Sequence, residues 1–74
     1  MTKKIEFIVA SDVSGGRDGI GVEAYDSGEL ILEVFRDDTQ KRRYVTLFKK
    51  EVDLDLVEDC IQRFKDRQLW EFLD

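Results

Sequence analysis

The chain contains no histidine and no proline, and it has a single cysteine, Cys60. Histidine is the commonest general base and metal ligand, so its absence removes Ser–His and Cys–His nucleophile pairs. A lone cysteine cannot form an internal disulfide, and small extracellular domains usually need several. The sequence therefore predicts a cytoplasmic protein that is not an enzyme and has no cofactor and no metal site.

Long apolar runs are also absent, because no segment approaches the roughly 20 residues that cross a membrane. The N-terminal segment "MTKKIEFIVASD" places a short apolar run after basic residues. That run alternates with Glu6 and lacks a small-residue cleavage site, so it indicates a strand rather than a signal peptide. With 74 residues, the chain is expected to form one small domain over residues 1–74.

Apolar and polar residues alternate with a period of two in four segments, which is the pattern of half-buried β-strands. The segments span residues 4–10, 20–25, 29–35 and 42–48. Their connections are short and rich in turn-forming residues, as at Asp26, Ser27 and Gly28. Short connections favour antiparallel neighbours, so we expect a four-stranded antiparallel β-meander.

The period changes near residue 53, after which apolar residues recur on one face of an amphipathic helix. We expect this helix over residues 54–67, with Asp53 as its N-cap and with Cys60 buried on its apolar side. The predicted fold class is therefore α+β, in which the meander has one C-terminal α-helix packed on one face. The closing segment "LWEFLD" either extends the helix or folds back as a short turn.

The stretch "SDVSGGRDGIG", residues 11–21, contains four of the five glycines. A phosphate-binding loop would need a following helix and a Gly-Lys-Ser/Thr ending, whereas a predicted strand follows here. A calcium-loop alignment also fails, because Arg17 occupies the position where an EF-hand needs glycine. Since Asp18 and Gly19 precede an alternating segment, we interpret the stretch as a hairpin loop.

One helix can cover only one face of a four-stranded sheet. The strand positions assigned to the covered face are Ile5, Phe7, Val9, Val22, Leu30, Leu32, Val34, Val45 and Leu47. The opposite positions are also partly apolar, and they include Ile8, Tyr25, Ile31, Phe35, Tyr44 and Phe48. Clustered exposed apolar residues usually mark a contact. We therefore expect either that the sheet curls on itself or that these residues are covered by a second copy, by another protein or by the C-terminal Leu69, Trp70, Phe72 and Leu73. A homodimer is the expected arrangement, because a two-fold axis lets one patch cover its own copy.

The net charge of −5 arises in residues 51–74, which carry eight acids and three bases. Most of these charges complement the helix dipole, and the acids could also face a basic partner. We therefore predict a non-enzymatic interaction module that binds a protein partner through an acidic helix or an apolar sheet face. The candidate partner-binding residues are Tyr25, Phe35, Tyr44, Phe48, Trp70, Asp55, Glu58 and Asp59.

The basic segment "KRRY", Lys41 to Tyr44, supports an alternative function. Single-stranded nucleic-acid binders combine a positive groove with aromatic residues on a sheet. Strand alternation would place Arg42 and Tyr44 on one face and Lys41 and Arg43 on the other, so the basic side chains are split. Single-stranded nucleic-acid binding therefore stands as the alternative to protein binding.

The segment "VFRDDTQKRRYVTLFKKEVDLDLVEDCIQRF" resembles short bacterial open reading frames of unknown role. The sheet-plus-helix layout is similar to that of many small immunity proteins and antitoxins. This resemblance implies a role in blocking a partner, and it assigns no functional residues because it covers the layout and no family motif.

Overall fold

A computed structural model describes residues 4–73 as four β-strands followed by one α-helix. The elements are β1 (Ile5–Asp12), β2 (Gly19–Asp26), β3 (Glu29–Asp37), β4 (Arg42–Leu47) and α1 (Leu54–Asp66). Each strand pairs antiparallel with the next one along the chain, and the sheet order is β1-β2-β3-β4. The predicted α+β meander with a C-terminal helix is therefore confirmed.

The helix α1 begins where the sequence predicts it. The carbonyl oxygen of Asp53 accepts hydrogen bonds from the backbone N–H groups of Leu56 and Val57, both at 3.1 Å. An acid lies in the first turn and two bases lie in the last turn. These charges complement the dipole of the helix, and they give much of the acidic cluster an ordinary structural cause.

The face of the sheet that contacts α1 is called the helix-side face. Its buried core comprises Val22, Ala24, Ile31, Leu32, Val34, Cys60 and Phe64. The helix packs against β2 and β3, because a helix about 10 Å wide covers only about two strands spaced about 4.8 Å apart. The prediction that the helix covers all four strands is wrong, since Val9, Val45 and Leu47 are 37%, 43% and 50% exposed.

A β-bulge in β3 changes which residues face the helix. Ala24 pairs with Leu32 and Tyr25 pairs with Leu30, so Ile31 is an extra residue between two paired positions. Both Ile31 and Leu32 therefore reach the helix-side core. The predicted faces of Ile31 and Leu30 are wrong, because strict alternation fails at the bulge.

On the opposite face, called the loop-side face, Arg17 from the β1–β2 connection covers Phe35. The guanidinium carbon of Arg17 lies 3.7 Å from the centre of the Phe35 ring. Its Nη1 and Nη2 atoms donate to the two carboxylate oxygens of Glu33 at 2.9 and 3.0 Å. Phe35 is fully buried. The prediction that Phe35 belongs to an uncovered apolar patch is wrong, because a long side chain from the loop lies across it.

The glycines of residues 11–21 shape this cover. Gly15 and Gly16 have φ values of +61° and +80°, in the left-handed region that glycine adopts without steric cost. Gly21 meets a different requirement, because a Cβ there would overlap the carbonyl oxygen of Val34 and lie 3.0 Å from Cδ1 of Phe35. The stretch joins β1 and β2 as predicted, and its glycines allow Arg17 to reach the sheet.

The chain folds back after α1, and we call residues 69–73 the C-terminal strap. Arg36 is buried, and its Nη1 donates to the carbonyl oxygens of Leu69 and Glu71, both at 3.0 Å. The Nε of Arg43 donates to the carbonyl oxygen of Trp70 at 2.7 Å. Of the two predicted paths for the closing segment, the fold-back is therefore confirmed.

Candidate functional site

The aromatic candidates on the loop-side face do not form an open apolar patch. Phe35 is buried, and its ring centre lies 5.8 Å from that of the half-buried Tyr44. The guanidinium carbon of Arg42 lies 4.7 Å from the centre of the Tyr44 ring. The hydroxyl of Tyr25 donates to Oε1 of Glu23 at 2.9 Å, and this hydrogen bond raises the pKa of Tyr25. Charged groups therefore accompany each of these three aromatic residues.

The acidic candidates lie together on the exposed side of α1. Asp55, Glu58 and Asp59 are all exposed. Oδ1 of Asp59 lies 3.3 Å from Nε of Arg63 one turn later, and both side chains are about half exposed. Exposed pairs of this kind contribute little to stability. The exposed side of α1 is thus acidic, and Arg63 partly balances its charge.

The basic segment of β4 holds the C-terminal strap. The Nζ of Lys41 donates to the carbonyl oxygen of Leu73 at 2.8 Å. The guanidinium carbon of Arg43 lies 4.1 Å from the Trp70 ring centre and 4.3 Å from that of Phe72. Two of the cations predicted to contact nucleic acid are therefore engaged by the chain's own C-terminal residues.

Asp38 fastens the end of the strap. Its Oδ1 accepts a hydrogen bond from the backbone N–H of Leu73 at 2.9 Å and lies 2.8 Å from Nε of Arg36. Its Oδ2 accepts a hydrogen bond from Nη2 of Arg36 at 3.1 Å. Burial alone would raise the pKa of Asp38, but the hydrogen bonds from Leu73 and Arg36 outweigh it and lower that pKa from 3.8. Arg36 and Asp38 thus form a charged clamp on the strap.

Exposed apolar side chains gather where α1 leaves β4 uncovered. A groove between β4 and α1, which we call the β4 groove, is lined by Val34, Arg43, Tyr44, Val45, Ile61 and Trp70. Leu47 extends this exposed apolar surface along β4, and Phe48 is exposed just after the strand ends. Sequence reasoning placed Val45 and Leu47 beneath the helix, although the width of one helix relative to four strands could have indicated their exposure.

The β1 side of the same face is built differently. Phe7 and Val9 lie there beside Arg63, Asp66 and Arg67 of the helix end. The guanidinium carbon of Arg63 lies 4.1 Å from the centre of the Phe7 ring. A charged side chain therefore shields Phe7 of β1, whereas Val45 and Leu47 of β4 stay open to solvent.

Cys60 is the remaining reactive group, and it lies in the helix-side core. It is fully buried, and this burial raises the pKa of its thiol to about 11. A thiol with so high a pKa is almost entirely protonated near neutral pH and is a poor nucleophile. The prediction that Cys60 is a small buried core residue is confirmed.

Comparison with known proteins gives no assignment: no protein-family model, no curated protein and no solved structure matches this chain. Residues 4–73 contain no cluster of three or more cysteine and carboxylate side chains suited to a metal ion. No helix in the described part of the chain is long and apolar enough to span a membrane. The function is therefore argued from the surfaces described above.

Proposed function

We propose that this chain is a non-enzymatic interaction module that binds a protein partner at the β4 groove. The observation that carries this proposal is the exposure of Val45, Leu47 and Trp70 along one edge of the helix-side face. Contiguous exposed apolar residues with a charged rim are typical of protein contact sites. Each Å² of apolar surface that a partner removes from water contributes about 25 cal/mol.

This proposal keeps Trp70 and Phe48 from the predicted set, because Trp70 lines the groove and both side chains are exposed. Contact through Asp55, Glu58 and Asp59 is the second version of protein binding. It has less support, since Leu54 is the single large apolar side chain exposed within α1, whereas several apolar side chains are exposed along the β4 groove. The β4 groove provides both apolar area and charge.

Two further expectations belong with the proposal. A cytoplasmic location is expected from the single cysteine, because an extracellular chain of this size would usually need internal disulfides.

The original argument for a homodimer no longer applies, because Ile31 and Phe35 are buried within one chain. A second copy remains one occupant to test. Nucleic-acid binding likewise loses support, because Lys41 and Arg43 hold the C-terminal strap.

Affinity capture from an extract of the source cell tests the proposal with matched variants. Val45→Asp places a charge in the β4 groove, and Val13→Asp places the same charge in the β1–β2 connection, where Val13 is highly exposed. We expect the wild type and Val13→Asp to recover the same partner, and Val45→Asp to lose it. Circular dichroism verifies that both variants are folded.

Three results would argue against the β4 groove. Retention of the partner by Val45→Asp together with its loss by Glu58→Lys would assign binding to the acidic helix. Binding of single-stranded RNA at low salt, weakening as salt is added, would favour the nucleic-acid alternative. Loss of the partner by Val13→Asp would assign the contact to the β1–β2 connection.

A further inference from the structure

The outer edge of β4 is available for backbone pairing. In the part of the chain that the structure describes, β4 is the last strand of the sheet and pairs only with β3. The backbone N–H of Phe48 donates to the carbonyl oxygen of Ile31 at 2.9 Å, so Phe48 directs its backbone groups toward β3. Because these directions alternate along an antiparallel strand, the backbone groups of Leu47 and Val45 point outward.

The same two residues supply the exposed apolar side chains of this edge. A segment that paired with their backbone groups would also place alternate side chains over Val45, Leu47 and the β4 groove. Strand addition of this kind obtains affinity from main-chain hydrogen bonds and specificity from alternate side chains. The backbone and the apolar surface of β4 thus suit a single extended ligand.

Cations predominate along the β4 strand. Residues 40–50 contain five cations and no acid, and the cations are Lys41, Arg42, Arg43, Lys49 and Lys50. Lys49 contacts Oε1 of Glu29 at 3.0 Å, whereas Arg42 and Lys50 are exposed at opposite ends of the apolar stretch. A ligand that follows β4 therefore meets positive charge at both of its ends.

Building on the proposed function, we propose that the partner supplies an extended acidic segment that adds to β4 as a fifth strand. Its alternating apolar side chains pack on Val45 and Leu47. Its terminal carboxylates lie near Arg42 at one end and Lys50 at the other. Charge complementarity and the open backbone edge together define this ligand.

A second copy of this chain fits the edge less well. If two β4 strands paired antiparallel about Val45, Lys41 of each copy would lie opposite Lys49 of the other. Like charges directly opposite each other destabilise a strand pair. The other exposed edge, β1, is a weaker site because Arg63 covers Phe7 beside it. The edge of β4 therefore favours a partner with acidic ends.

Synthetic peptides test this proposal with the intact protein. The probe alternates threonine and valine and carries glutamates at both ends, and its matched control carries lysines instead. Fluorescence anisotropy is expected to show about tenfold tighter binding of the glutamate peptide at low salt, since exposed ion pairs are weak individually but add. This preference should shrink at high salt because counterions screen exposed charges.

Backbone pairing is tested separately from charge. A glutamate-ended peptide with proline at its centre lacks a donor and should bind wild-type protein at least about tenfold more weakly. In the protein, Val45→Pro removes an outward N–H group, and proline is tolerated at such positions of edge strands. Val45→Thr retains this N–H group, so Val45→Pro should bind the glutamate-ended peptide more weakly than Val45→Thr does. Hydrogen exchange of the Val45 and Leu47 amides should slow when the peptide binds to wild type.

The possible results separate this inference from the proposed function. Equal binding of the glutamate and lysine peptides, or amide protection elsewhere in the chain, would overturn strand addition. If Val45→Asp still abolished partner capture in that case, groove binding would stand without strand addition. Sedimentation showing a wild-type dimer that Val45→Pro dissociates would assign the edge to a second copy and also overturn the inference.

Discussion

The middle of the helix-side face is covered by many apolar contacts from α1, whereas the middle of the loop-side face is covered chiefly by the side chain of Arg17. Phe64 and Cys60 of the helix are fully buried against β2 and β3. Arg17 instead lies across Phe35 and pairs with Glu33. Buried apolar area therefore stabilises one face of the sheet, and an ion pair with fixed geometry stabilises the other.

The difference has an energetic consequence. Apolar burial is non-directional and contributes in proportion to area. An ion pair that replaces hydration gains little net free energy, but it becomes strongly unfavourable when one partner is removed. The helix-side face should therefore dominate the total stability, and the loop-side face should show strong coupling between a few residues.

The largest expected effect is on the helix-side face. Phe64→Ala removes a fully buried ring and should lower the free energy of unfolding by about 3–5 kcal/mol. Because small domains have about 5–15 kcal/mol in total, this variant should be close to unfolding. Urea denaturation measures the loss. The exposed Phe48 provides a control, and Phe48→Ala should change stability by about 0.5 kcal/mol or less. Similar losses in both variants would contradict the packing described here.

An intermediate effect is expected on the loop-side face. Arg17→Ala leaves the Glu33 carboxylate, whose side chain is 7% exposed, without its bidentate partner. We expect a loss of about 2 kcal/mol, below the value for fully buried pairs because Arg17 is partly exposed. The double variant Arg17→Ala with Glu33→Ala should lose less than the sum of the single variants. Strict additivity in urea denaturation would show that the two side chains do not act together.

The smallest expected effect concerns the strap, which brings charge to the helix-side face. The pKa of Asp38 is lowered in the folded chain, so its contribution to stability is present above the unfolded value of 3.8. That contribution is lost as pH falls through the lower folded pKa. Asp38→Asn should lower the free energy of unfolding by about 1 kcal/mol at neutral pH. In this variant the free energy of unfolding should also fall less steeply as the pH is lowered. Urea denaturation over an acid pH series tests this, with Asp55→Asn as a control at an exposed carboxylate. If the free energy of unfolding of Asp38→Asn fell with pH as steeply as that of the wild type, the role of Asp38 would be contradicted.

The regular elements of this fold could be predicted because their patterns are local. Alternation identified all four strands, and the change of period after Asp53 located α1 within one residue at its C-terminal end. Short connections then required antiparallel neighbours. These features depend on residues that are close in sequence, which is where pattern reasoning is strongest.

The covers of the sheet could not be predicted in the same way. The bulge that places Ile31 in the core depends on its pairing with β2, and no local pattern marks it. Arg17 reaches Glu33 across 16 positions, and Arg36 reaches Glu71 across 35. Such contacts depend on the length and direction of single side chains. The proposed site at β4 differs from the predicted site for the same reason, because the position of α1 determines which strand stays exposed.

The C-terminal strap has a consequence for how the sequence can drift over time. Arg36 and Lys41 grip the strap through carbonyl oxygens of Leu69, Glu71 and Leu73, which every amino acid possesses. The side chains at positions 71 and 73 are therefore open to substitution without loss of these bonds. Arg36 has no such latitude, because a shorter or uncharged residue could not replace its several donors. Relatives of this protein should preserve the gripping residue more faithfully than the segment it holds.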